Sequence, residues 1–166
     1  MKGLTLHNFY IPAGGDEPDI NKNPKFSHKL NFISEMTKHF SQQQPSRSIL
    51  VGDLNIAPLA EDVWSTRQLR NTVSHTAIER ENLLALVEQG GWTDSVRAHF
   101  GPKEVLFSWW SYRARDWVAS NRGRRLDHIW VSRDLASKVE AVTIESAMRG
   151  AEKPSDHVPL TITLQP

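Results

Sequence analysis

The sequence predicts a single domain of α+β class, built in layers. Three observations carry that expectation. Segments with strand character outnumber segments with a helical period. Several strand-like segments follow one another with no helix between them, which disfavours a doubly wound parallel sheet. The composition is that of a soluble globular chain, with 39% hydrophobic and 23% charged residues over a length of 166, a size that suits one domain. No internal repeat, low-complexity tract or linker divides residues 1–166.

The elements follow in order. "LTLHNFYI" (4–11) has period-two character and reads as a strand; "PAGGDEPD" (12–19) reads as a loop. Over 24–43 the apolar residues Phe26, Leu30, Ile33, Met36 and Phe40 recur in steps of three and four, one face of a helix that stops before Pro45. "RSILVGDLN" (47–55) is a short buried strand opening into a loop. Residues 57–75 show no clean period. Residues 76–91 form a helix, opened by a capping box of Thr76 and Glu79 and closed by Gly90 and Gly91. Strands are expected at 106–112, 124–132, 138–146 and 158–165.

Bulk charge excludes little. Twenty basic and 19 acidic residues give a net +1, no electrostatic signature of a nucleic-acid partner by itself. The distribution is more telling. "SYRARDWVASNRGRR" (111–125) holds five Arg against one Asp, with Tyr112 and Trp117 among them, and the chain has six Trp. Arginine mixed with aromatic rings suits phosphate contact and base stacking; a solvated basic loop is the alternative. No apolar run is long enough to span a membrane. The first residues lack the pattern of a signal peptide. Cysteine is absent, which fits a reducing, cytoplasmic compartment.

Polar residues at the strand ends point to chemistry. Asp53 and Asn55 lie just past a buried strand, two residues apart, so they face the same way if the backbone stays extended. Asp127 sits among Leu126, Ile129 and Val131 in a strand, where a carboxylate needs a partner. Asp156 and His157 stand together at the mouth of the last strand, and His157 is a suitable partner for Asp127. "GDLN" and "PSDH" each also read as Asx-type turns. Together they offer the oxygen donors of a hard-cation phosphoryl-transfer site, with a His or Asp to activate water.

These residues resemble a known family. "NFYIPAGG", "GDLNIAP", "FSWWSYR", "NRGRRLDHIWVS" and "KPSDHVPL" occur in the order found in the exonuclease III family of abasic-site DNA endonucleases, within the endonuclease/exonuclease/phosphatase superfamily. The resemblance covers nearly the whole chain. It implies a four-layer α/β sandwich and a Mg²⁺-dependent DNA phosphodiesterase, with Mn²⁺ as an alternative ion. Such an enzyme acts at abasic sites and 3′ ends of double-stranded DNA in base excision repair, as a monomer away from membranes. By resemblance, Tyr10 contacts the scissile phosphate and Asp53 activates or orients the attacking water. Asn55 steadies that group, Asp127 holds the catalytic His157, and Asp156 stands close to the metal. The implied metal set is Asp53, Asn55, Asp156 and His157. The implied DNA contacts are Lys29, Trp109, Trp110, Tyr112, Arg113, Asn121, Arg122 and Arg124, with one of the two tryptophans in a pocket for the flipped-out abasic sugar. Lys29 also reads as a plain helix-surface residue.

Three departures from the family pattern stand out. Ser111 replaces a usual acidic residue. Arg124 replaces a bulky apolar one beside the abasic pocket, where its guanidinium can reach phosphate instead. The family also carries an N-terminal portion, with an Asn and the principal metal-ligand Glu, that nothing here matches. The expectation is therefore the C-terminal part of the family domain. Two other readings are a non-catalytic DNA-binding remnant and a phosphoinositide or sphingomyelin phosphodiesterase of the same superfamily.

Overall fold

A computed structural model describes residues 3–114 and 116–165. Strand β1 (Thr5–Asn8) runs parallel to β2 (Ser48–Asp53), and between them lies helix α1 (Pro24–Gln42). Asn23 caps α1 by accepting from the Lys25 amide at 3.1 Å, and Pro24 occupies the first turn, where its missing N–H costs nothing. Short helix α2 (Thr66–Leu69) and helix α3 (Ala77–Gln89) follow. The expected capping box of Thr76 and Glu79 is present at the start of α3.

Strand β3 (Trp92–Asp94) and helix α4 (Ser95–Phe100) come next, both too short to show a period in sequence. β4 (Trp109–Trp110), α5 (Trp117–Ser120) and β5 (Gly123–Arg124) precede the central strand β6 (Asp127–Ser132). β7 (Val139–Ile144) and β8 (Leu160–Leu164) close the chain as an antiparallel pair.

The main sheet has the order β1-β2-β6-β3, mixed in direction. One face is covered by α1 and α3. Their Phe26, Ile33, Phe40, Leu83 and Leu86 pack on Leu50, Trp92 and Trp130 of the sheet. The other face meets α4 and the β7–β8 pair through Val96, Leu106 and Val142. Burial of this apolar surface is the main force holding the layers together. Gly52 lets β1 approach β2: a Cβ there would stand 1.8 Å from the Phe9 carbonyl oxygen, at a φ of +145°. Among the described residues, no helix is long and apolar enough to cross a membrane.

Several expected strands are shorter than their sequence reads, and of 4–11 only Thr5–Asn8 forms β1. In 106–112 only Trp109 and Trp110 pair. The expected strand at 124–132 is broken at Arg125 and Leu126, because their amides leave the ladder to bond Asp62 O and Ser108 Oγ. Asp127 therefore opens β6 rather than lying inside a strand.

Candidate active site

The register of β2 on β6 sets Asp53 directly opposite Asp127. Opposed residues of an antiparallel pair share a face, so two carboxylates meet there, a destabilising arrangement unless a positive charge joins them. Ser108 fixes the start of β6: its Oγ accepts from the Leu126 amide at 2.9 Å and the Asp127 amide at 3.0 Å. His157 arrives from the other side. It forms a bridge with Trp109, the Val158 amide bonds Ser108 O, and the Trp110 amide bonds Asp156 O. The His157 amide also donates to Ser155 Oγ at 3.1 Å, which completes the bend at Pro154–Ser155.

The outcome is an Asp–His pair. His157 Nδ1 lies 2.8 Å from Asp127 Oδ2. Because a carboxylate only accepts, Nδ1 carries the proton, and Nε2 is left for a ligand. The hydrogen bond that His157 donates to Asp127 raises the His157 pKa above its ordinary value. Burial opposes this, and the charges of Asp127, Asp53 and Asp156 reinforce it. Burial likewise raises the Asp53 carboxyl, with the neighbouring Asp127 adding to it against the hydrogen bond from the Asn55 amide.

Asn55 does not continue an extended strand. Its φ of +52° turns the chain. Its amide N–H donates to Asp53 Oδ1 at 3.0 Å and its side-chain amide to Asp53 Oδ2 at 2.9 Å and Ile11 O at 3.0 Å. The Asx turn and the support of Asp53 are thus one structure. Beneath it lies Lys29, which corrects the expectation of a DNA contact. Lys29 is fully buried; its Nζ donates to Glu79 Oε1 at 2.6 Å, Asn55 O at 2.9 Å and Ala13 O at 3.2 Å. It anchors the Asn55 loop from inside. Burial depresses its pKa, and Glu79 partly offsets that.

Asp53, Asp127 and His157 each offer one ligand atom within 4.8 Å of the others. The expected metal set fits in part. Asp53 belongs to the cluster and Asp127 joins it. Asp156 instead accepts from the Trp109 indole at 2.9 Å, and Asn55 spends its side-chain amide on Asp53 and Ile11. The two facing carboxylates are hard oxygen donors, apt for Mg²⁺, whereas His157 with a raised pKa suits contact with an anion better. Tyr10 is 63% exposed one residue before Ile11, whose amide bonds the Asp53 carbonyl.

A cavity of about 580 Å³ opens beside His157, lined by Trp64, Trp109, Arg113, Arg122 and Arg124 among others. Trp109 is thus the tryptophan of the pair that reaches it. Trp110 is buried with Phe107 and Val158, and its indole donates to the Asn121 side chain, so neither Trp110 nor Asn121 lines this cavity. Tyr112 lies outside the lining as well; its hydroxyl donates to Pro154 O at 2.8 Å. Arg124 lines the wall, bonded to Ser74 Oγ at 2.8 Å. Sequence reasoning missed Trp64, Ser74 and Ser108. Trp64 lies in the stretch without a period, and two isolated serines carry no pattern.

Residues 32–157 match the model of the Endonuclease/Exonuclease/phosphatase family. The chain is 30% identical over 164 residues to exodeoxyribonuclease III of Haemophilus influenzae, covering 95% of this chain and 60% of that protein. It superposes on an AP endonuclease of Archaeoglobus fulgidus with a TM-score of 0.89 at 28% identity, covering 99% of this chain and 62% of that one. It superposes also on the 3′ phosphatase NExo from Neisseria bound to product DNA hairpin, with a TM-score of 0.87 at 27% identity and the same coverage. The chain thus spans about three fifths of these relatives. With 126 consecutive positions inside the family model, counted from 32 to 157 inclusive, the chain belongs to the Endonuclease/Exonuclease/phosphatase family.

Proposed function

We propose that this chain hydrolyses DNA phosphodiesters with Mg²⁺, at abasic sites and 3′ ends, as an exonuclease III-type nuclease. The observation that carries the reading is the 2.8 Å Asp127–His157 pair, clustered with Asp53 and opening on a cavity lined by Trp and Arg. Water attacks phosphorus in line, the P–O3′ bond breaks, and a 3′-hydroxyl remains. Asp53, its pKa raised by burial, takes the proton of that water in this reading. His157, held by Asp127, presents Nε2 to a phosphate oxygen and offsets its developing charge. Arginines 113 and 122 add positive charge at the mouth. Asp53 and Asp127 would hold the ion, whose chemistry is to polarise the phosphoryl oxygens and lower the pKa of bound water.

The test is cleavage of an end-labelled duplex carrying an abasic analogue or a recessed 3′ end. Turnover that needs Mg²⁺, stops with chelator and is lost in Asp53→Asn is the expected result. Binding of the duplex without metal-dependent turnover would leave a DNA-binding role only. Turnover of a lipid phosphodiester with none of DNA would move the chain to a different substrate class.

A further inference from the structure

Strand β4 divides two cavities. Successive residues of a strand point to opposite faces, and Trp109 and Trp110 do so here. Trp109 reaches the cavity beside His157, whereas Trp110 lines a second cavity of about 460 Å³ on the far face. Asn121 and Arg122 are split in the same way, Arg122 to the first cavity and Asn121 to the second. The two linings share no residue. Both pairs flank the connection from β4 to β5, so a strand laid over that connection passes from one cavity to the other.

The second cavity is an aromatic cleft with one amide at its edge. Phe107 and Trp110 meet edge to face with ring centres 6.0 Å apart, and Trp110 and Trp117 with centres 5.4 Å apart. Phe100, 37% exposed, and Val105, 58% exposed, form an apolar rim. Asn121 ends α5 in the left-handed region, at a φ of +39°, and its Oδ1 accepts from the Trp110 indole at 3.0 Å. An indole N–H only donates, so that bond fixes the sense of the amide. Nδ2 is left as a donor with no partner among the described residues. Just outside the lining lies Arg149, buried, its guanidinium carbon 5.8 Å from the centre of the Trp117 ring and 4.9 Å from that of Tyr112. No described carboxylate forms an ion pair with it.

These features select an occupant. The rings give stacking faces, Nδ2 gives a donor for a carbonyl or ring-nitrogen acceptor, and Arg149 gives positive charge that no described carboxylate matches. An aliphatic segment of a protein would use the rings and leave the donor and the charge idle. An unpaired base on a phosphate chain uses all three. We propose that this cleft is a second nucleic-acid subsite. It stacks an unpaired base of the DNA strand and hydrogen-bonds its edge through Asn121 Nδ2, on the far side of β4 from the hydrolytic site. A base held in a duplex must first be unstacked and unpaired to enter, at a cost in free energy that an open strand does not carry. The cleft therefore favours frayed, gapped or mispaired DNA over an intact duplex.

This rests on the nuclease reading above for the choice of DNA, and the experiment separates the two. Full-chain protein is titrated, in chelator, with a short single-stranded oligothymidylate and with a counterpart of equal length built from tetrahydrofuran abasic residues. The expected result is about tenfold or more tighter binding of the base-bearing oligomer. That ratio falls severalfold in Trp117→Ala, which removes a stacking face, and in Asn121→Asp. The second variant keeps the acceptor for the Trp110 indole and removes the donor; both oligomers feel its added charge alike, so the ratio isolates the donor. Photocrosslinking of an iodouracil-substituted oligomer should label Trp117 or Phe100. Equal binding of the two oligomers overturns the inference, as does an unchanged ratio in folded Trp117→Ala and Asn121→Asp, or labelling confined to Trp64 and Trp109. A dimer that Val105→Asp disrupts, with no base preference, would assign the cleft to a second copy and overturn it too. Turnover of an abasic duplex with Mg²⁺, measured alongside, tests the nuclease reading separately. Its absence with the ratio intact sinks that reading and leaves the cleft; its presence with no base preference does the reverse.

Discussion

Two charge clusters lie in this molecule and are built to opposite rules. The first is buried. Arg125 sits between Asp62, at 2.6 and 3.2 Å, and Asp94, at 2.9 Å, and Arg97 also pairs with Asp62. His128 completes it, taking Arg125 Nη1 at 3.1 Å on one nitrogen and Ile56 O at 2.9 Å on the other. Burial alone would raise the Asp62 and Asp94 carboxyls, but Arg125 overrides it and holds both below the usual carboxylate range. The second cluster is Asp53, Asp127 and His157, all half-buried. There two carboxylates face one imidazole, and the Asp53 carboxyl is raised instead of lowered. The closed cluster has matched its charges internally. The open one has kept negative charge in excess, together with a free imidazole nitrogen, and both are of use only to something from outside. The difference separates structure from function where residue types alone do not.

The contrast can be broken at four points. The largest effect belongs to the closed cluster. Asp62→Ala leaves two buried guanidiniums short of a partner and should cost about 3–5 kcal/mol, read as a lowered midpoint in urea. Asp62→Ala with an unchanged midpoint would break the comparison. Asp127→Asn, in the open cluster, should barely move that midpoint, because Asp127 is only half-buried and is opposed by Asp53. It should instead lower kcat by about 10²–10⁴, since His157 loses the partner that fixes its tautomer. Loss of folding in place of loss of turnover would show that the open cluster is structural after all.

The third point is pH. The folded pKa of His157 is raised above its unfolded value. The stability it contributes is therefore fully present below the ordinary histidine pKa of about 6.5 and is lost as pH rises through the higher folded value. Wild type and His157→Gln should thus differ more in urea midpoint at pH 5.5 than at pH 9, and NMR titration of the ring would read the folded pKa directly. The smallest effect is expected at Tyr112→Phe. It removes one exposed hydrogen bond to Pro154 O, and so should cost under about 1 kcal/mol and leave kcat unchanged.

Much of the site was legible in the sequence, for a reason the Asp127–His157 pair makes plain. A carboxylate among Leu126, Ile129 and Val131 needs a partner, and the cost of leaving it bare pointed to the distant His157, which is thereby held by Asp127 and not by its own neighbour Asp156. The two long helices were equally legible, because each spans enough turns to show a period or a cap. Lys29 was misread although the signal was there. Phe26, Lys29, Leu30 and Ile33 fall on one stripe, so the lysine had to enter the core, and a buried ammonium requires a carboxylate. Glu79 read as a capping residue only, and nothing in local sequence joins positions 50 residues apart. Asn55 failed for another reason: the side-chain alternation of a strand assumes extended backbone, and its left-handed turn cancels it. The short strands β3, β4 and β5 are specified by their pairing partners, not by any pattern of their own.

The Lys29–Glu79 pair bears on how such sequences can drift. Three separate stretches hang on one ammonium group: the loop at Ala13, the turn at Asn55 and the first turn of α3. Replacing either partner alone strands a charge in the core, so the two positions should be exchanged jointly or kept jointly. In an alignment they would register as a coupled pair without either one touching substrate, and a homologue that retains the Asp53–Asn55 turn while losing one of them should show a compensating change beneath that turn.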